Sequence, residues 1–293
     1  MRALKITLIS FIVIGFIGVA TTFIVYGFNV RAMWNDMSST AGYTEGDRTY
    51  VSVTSVSVSA HNGRINFEGH DSDQVKITYH TREGRLYLTT ELTNGQLVIT
   101  QSTVTPNWNF GMMGFRSTDV YAINVLVPRE LVAATLTSNN GRINVNGVGL
   151  TSLHMGAQNG RIDVSNVTVS GLMHVTSQNG RVNVSDSEIT DINITSNNGR
   201  IDVSRTTGEE IRLRNSNGRN SISNGTFTIV DVQTNNGRNS VTLIGTQANF
   251  EIRFSAHNGS SRLNGSRTSG THQGGPGSIR MSTHNGRNDL RFV

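Results

Sequence analysis

The sequence predicts an all-β chain, a single-stranded β-helix or β-solenoid of about 19–20 residues per coil, preceded by one N-terminal transmembrane helix. Three observations predict it. Asn-Gly returns at a nearly constant interval, apolar side chains alternate on both sides of it, and an uncharged apolar run opens the chain.

The repeat asparagines are Asn62, Asn140, Asn159, Asn179, Asn198, Asn217, Asn236, Asn258 and Asn285, with central intervals of 19, 20, 19, 19 and 19 residues. The interval of 78 from Asn62 to Asn140 equals four units of 19.5, which suggests a continued period under a decayed motif; the last intervals, 22 and 27, imply insertions. Six and four residues before each Asn stands an apolar residue, as in Ile192 and Ile194 or Ile211 and Leu213, and two before it a small or short one, as in Ser196 and Asn215. Such period-two alternation buries one strand face. Asn-Gly then reads as a tight turn with positive φ, and a second strand follows, as in Arg161-Ile162-Asp163-Val164 and Arg200-Ile201-Asp202-Val203. One unit is too small to enclose a core, so units must stack about 4.8 Å apart. In Arg219-Asn220, Arg238-Asn239 and Arg287-Asn288 the inward Ile or Val is replaced by Asn, which suits a hydrogen-bonded asparagine stack.

Residues 1–5 read as a cytoplasmic stub and 6–28 as a transmembrane signal-anchor. Ile6 to Val25 alone spans one bilayer core, and Arg2 and Lys5 precede it, which puts the N-terminus inside and the bulk of the chain outside. The alternative is secretion after cleavage near Gly18-Val19-Ala20. Residues 29–50 read as a linker and 51–293 as the solenoid, irregular over 51–130 and regular over 131–293, with a flexible loop at Gly265 to Gly277. The absence of cysteine excludes a disulfide framework and a Cys-based zinc site.

The membrane anchor, the Val125-Leu126-Val127-Pro128 strand and the apolar-x-apolar-x-small-x-Asn-Gly units together resemble the "putative adhesin" family of bacterial and archaeal β-strand-repeat proteins, which includes LiaG-like envelope proteins. The resemblance covers roughly residues 50 to 293 and implies a right-handed β-helix-like fold at the cell envelope; it carries no catalytic residues. Where that family commonly has an acidic or small residue after the repeat Gly, this chain has Arg in eight of nine units, Ser260 being the exception.

Stacking would bring Arg142, Arg161, Arg181, Arg200, Arg219, Arg238 and Arg287 into one column, a candidate binding site for an anionic envelope polymer. Guanidinium stacking over the turns is the structural alternative. The carboxylates on the same face are Asp163 and Asp202, too few to balance the column, and residues 211–293 carry ten arginines against Asp231, Glu251 and Asp289, a net of +7. Trp108, Phe110 and Phe115 form a candidate contact for another envelope protein, the route by which the chain would serve as a structural or regulatory partner in envelope-stress signalling. Intracellular nucleic acid is not expected as a partner, because the compartment is external and aromatic platforms are lacking. Catalysis is not expected either: Asp163 and Asp202 lie 39 residues apart, about two coils, in line on one face. His257 and His284 approach each other in adjacent coils, but two histidines without carboxylates make no metal site. No cofactor is expected.

Overall fold

The computed structural model describes residues 43–82, 88–101 and 122–293, so the anchor and the Trp108, Phe110 and Phe115 segment lie outside the described residues. No helix among the described residues is long and apolar enough to cross a membrane. The order begins β1 (Tyr43–Tyr50), β2 (Ser55–Ala60), β3 (Ile65–His70), β4 (Val75–Arg82), β5 (Leu88–Thr93) and β6 (Gln96–Gln101). It continues with β7 (Ile123–Pro128), β8 (Glu130–Ser138), β9 (Arg142–Asn146), β10 (Gly149–Ala157), β11 (Arg161–Ser165) and β12 (Thr168–Thr207). The C-terminal elements are β13 (Glu210–Gly225), β14 (Ile229–Leu243), β15 (Phe250–Leu263), β16 (Ser266–Thr268), β17 (Gly270–His272) and β18 (Gly277–Phe292). A 3-10 turn, Gln247–Asn249, precedes β15.

Parallel pairing, in register through the Asn-Gly corners with shifts between Leu150 and Leu153 and between Ile222 and Gly225, curls these strands into a solenoid. Arg161 faces Arg142 and Arg181, Ile211 faces Ile192 and Val230, and Asn217 faces Asn198 and Asn236. All eighteen apolar positions before the asparagines are buried and run along one continuous core. The small positions taper as expected; Ser138 Oγ accepts the Gly141 N–H at 2.9 Å and closes the corner beneath Asn140.

At that corner the expected positive φ appears only at Gly218, Gly237 and Gly286, with values of 155, 153 and 157°. None of the repeat asparagines has a positive φ, and the long strands run straight through Asn-Gly. The glycine is also required for a different reason. A Cβ on Gly160, Gly180 or Gly199 would lie 1.8–1.9 Å from the carbonyl oxygen of the glycine in the preceding coil. Close backbone approach is what only glycine permits in these coils. Beside it the asparagine side chains bond along the whole stack, from Asn140 to Asn62 at 2.8 Å, through Asn198 to Asn179 at 3.0 Å, to Asn258 on Asn285 at 2.9 Å. A second set of positive φ angles sits at the opposite corner, at Gly147, Asn166, Asp186, Arg205 and Asn224, with values of 65, 54, 53, 47 and 53°. Asn and Asp tolerate that region. Arg205 is held there by two bonds to Asp186, of 2.6 and 2.8 Å. The same contact keeps the Asp186 carboxyl below the usual aspartate range. Its contribution to stability is therefore present above that range and is lost as pH falls below it.

Coil order departs from chain order at both ends. Val58 pairs directly with Leu136 and Ile65 with Ile143, so the 78-residue interval is one step of the stack and not four. The intervening residues leave and return: β6 and β7 form a further coil on the other side of β2 and β3. At the C-terminus β18 inserts between β14 and β15. Antiparallel strands close both ends. At one end β4 and β5 cover β7 and β6, with β1 on β4; at the other β16 and β17 cover β15. Hence Tyr43–Tyr50, read as linker, is a strand, and the segment read as a flexible loop holds two short strands that shield an edge open to pairing.

The asparagine stack expected in the last regular units forms within the core. Asn220, Asn239 and Asn288 are fully buried, Asn220 donating to Asn239 and Asn239 to Asn288 at 2.9 and 2.8 Å. Asn288 also reaches Ser261 Oγ at 3.2 Å, whereas Asn220 Oδ1, facing the Ile201 coil, has no partner.

Two outcomes follow. Gly199→Ala should destabilise the protein by about 1–3 kcal/mol through overpacking, seen as a lower urea midpoint; an unchanged midpoint would dismiss the close-approach account. Asn239→Ile alone should cost about 1–3 kcal/mol because it strands buried partners, while Ile at 220, 239 and 288 together should recover most of that loss. A triple variant weaker than the single one would contradict it.

Candidate functional site

The arginine column is real as a register feature. Arg142, Arg161 and Arg181 are mutual neighbours on one side, Arg200, Arg219, Arg238 and Arg287 on the other, and Ser260 takes the place after Arg287. The two halves join through β12, whose own coils are linked by the Asn198–Asn179 bond. Alternation turns all of these side chains outward because the next residue in each strand is in the core. Neighbouring charges are therefore about one strand spacing apart and repel by about 1 kcal/mol per pair in a water-like dielectric before screening.

The arginines are not equivalent. Asp163, two residues beyond Arg161, receives its Nε at 2.7 Å and has Arg142 Nε at 3.8 Å. Asp202 receives Arg200 Nε at 2.6 Å and Arg181 Nη2 at 2.8 Å. Each carboxylate thus serves two guanidiniums, and with the arginine side chains still 41–47% exposed these pairs order the surface more than they stabilise it. In the next two coils the Asp place is taken by Ser221 and Ser240. Among the described residues Arg219, Arg238 and Arg287 have no carboxylate partner. Asp289 stands level with Ser240 and Arg262 and pairs with neither Arg287 nor Arg262.

The same outward face carries Arg262 and Arg291, which sequence reasoning did not single out. The C-terminal excess of charge signalled them, but their placement beside the column depends on β18 lying between β14 and β15. Other arginines of these coils are matched: Arg212 with Glu210, Arg214 with Asp231, and Arg253 with Glu251, at 2.6, 2.9 and 2.6 Å.

Asp163 and Asp202 are separated by the coil of Asn183, and each is engaged by arginine. His257 and His284 do meet, their rings stacked at 4.8 Å and 10°. Among the described residues no group of three or more potential ligands is placed to hold a metal ion.

A sequence model of the family described as Toastrack DUF4097 matches residues 53–291, a span that includes every Asn-Gly unit. The chain belongs to that family. Among solved structures, a "putative adhesin" from Parabacteroides distasonis is similar at 15% identity and a TM-score of 0.50, over 88% of this chain and 99% of that one. A "putative adhesin" from Bacteroides fragilis shares 12% identity with a TM-score of 0.45, over 87% and 98%. A "putative lipid binding protein" from Parabacteroides distasonis shares 13% with a TM-score of 0.44, over 87% and 98%. No curated protein matches the sequence. The Toastrack family and the first of these structures establish a curled all-β fold.

Proposed function

We propose that this Toastrack protein is a membrane-held, non-catalytic component of the cell envelope that binds an anionic surface polymer, with Arg219, Arg238 and Arg287 as the contact line. The observation that carries the reading is the change of chemistry along one column. Arg142, Arg161, Arg181 and Arg200 share Asp163 and Asp202, whereas the next three arginines face serine or an unengaged Asp289. Uncompensated like charges at this spacing are costly in isolation and favourable against a repeating anion, because each can take a bidentate carboxylate or phosphate. Arg262 and Arg291 widen the line into a strip. The apolar run at 6–28 supports the tether and the adhesin-type names of the similar structures support the surface role.

Replacing Arg219, Arg238 and Arg287 together by Gln should weaken binding to polygalacturonate or poly(glycerol phosphate) by at least about tenfold and flatten its salt dependence, by analogy with counterion release from other polyanions. Gln at Arg161 and Arg181 should change it little. Ser240→Asp, which recreates the Asp202 arrangement beside Arg238, should weaken binding without unfolding the chain. Calorimetry over a salt series reads all three, and equal effects from the two arginine sets would remove the unpaired line from the mechanism.

A further inference from the structure

The contact line runs toward a cleft at the C-terminal end of the solenoid. One edge of β15 is paired with β18 along its length. The other edge is covered only in part, by β17 opposite Ile252 to Phe254 and by β16 opposite Ser261 to Leu263. The corner between them, residues 255–260, has no strand over it, and a cleft of 390 Å³ opens there, within the usual range of small-molecule sites. Its floor is Phe254 and Ala256, core positions left uncovered by any further coil; its rim is Ser260, Ser261 and Thr268; Arg267 stands at its mouth.

Each of these groups departs from the repeat in a way that makes room or adds a donor. Ser260 occupies the place that is arginine in the other eight units, and it lies level with Arg287. The line Arg219, Arg238, Arg287 therefore ends on a short hydroxyl that lines the cleft. Ser261 replaces the inward residue of the other units, is almost fully buried, and accepts Asn288 Nδ2 at 3.2 Å, which leaves its own hydroxyl hydrogen to donate. Thr268 is fixed by His272 Nε2 at 2.7 Å, and the His272 ring stands edge-on to Phe254 at 6.1 Å, so rim and floor are braced together. Arg267 has no carboxylate partner among the described residues. An aromatic and methyl floor, hydroxyls around it and one free guanidinium match a single sugar or polyol unit that bears one carboxylate or phosphate.

We propose that this cleft is an end-group pocket, which takes the terminal unit of the anionic polymer whose internal units lie along Arg219, Arg238 and Arg287. The inference rests on the polymer-binding reading for the polymer's identity, but the pocket has its own residues and its own test. Binding of tetragalacturonate, high-molecular-weight polygalacturonate, galacturonate and glycerol 3-phosphate to the full chain is measured by calorimetry. Arg267→Gln, and separately Ser260→Leu to plug the cleft, should weaken tetragalacturonate about tenfold, one charge-assisted contact, and leave the long polymer, in which ends are rare, within about twofold. The monomer that binds the wild-type chain and loses affinity in Arg267→Gln identifies the anion, carboxylate or phosphate. If the Arg219, Arg238 and Arg287 variant keeps full polymer binding while the cleft variants still lose the tetramer, the contact line fails and the pocket stands. Unchanged affinity of both cleft variants for every probe, or no binding of any short probe by the wild-type chain, overturns the pocket.

Discussion

Every outward column in this molecule depends on how closely two coils can approach at the Asn-Gly corner. The carbonyl oxygen of each repeat glycine occupies the space where the next glycine would carry a Cβ, and the adjacent asparagines bond side chain to side chain in one direction along the stack. A coil displaced by one residue would drive a Cβ into backbone, break the amide chain and turn the core face outward. Register is therefore specified three times at the same corner. The arginine that follows the glycine inherits that precision, and so does the aspartate or serine two residues further on.

Much of this was legible in the residues. Period and alternation predicted the coil, and every apolar position named from the pattern is in the core, because burial on one strand face leaves an unambiguous mark. The reason for the glycine was not legible. Asn-Gly has the same letters whether it supplies a positive φ or merely lacks a Cβ, and only the neighbouring coil distinguishes them. The opposite positive-φ corner escaped notice because its residues, Gly147, Asn166, Asp186, Arg205 and Asn224, share a conformation but no single residue type. The threading was hidden as well. An interval of 78 residues is equally compatible with four coils and with a detour that returns to the next level, since period alone does not say which coils are neighbours.

That threading decides the candidate site. Placed last, the C-terminal coil would set Ser260 beside Arg238 and interrupt the line; placed between β14 and β15, it sets Arg287 there and leaves Ser260 at the end. Sequence reading found the column and its two aspartates but could not tell that each aspartate serves two arginines and none serves the next three. The contrast in charge pairing along the column thus arises at an ordinary surface position, Asp in some coils and Ser in others, through a register that the corner enforces.

Because the chain has no cysteine, introduced pairs report directly on this arrangement. The most direct test compares cysteines at Ser240 and Asp289, which face each other in register, with cysteines at Ser240 and Arg262, which would be neighbours if coils followed chain order. A short bifunctional thiol reagent and mass spectrometry should recover the 240–289 crosslink in high yield and little of the 240–262 crosslink. The reverse yields would contradict the insertion of the last coil and dissolve the continuous arginine line.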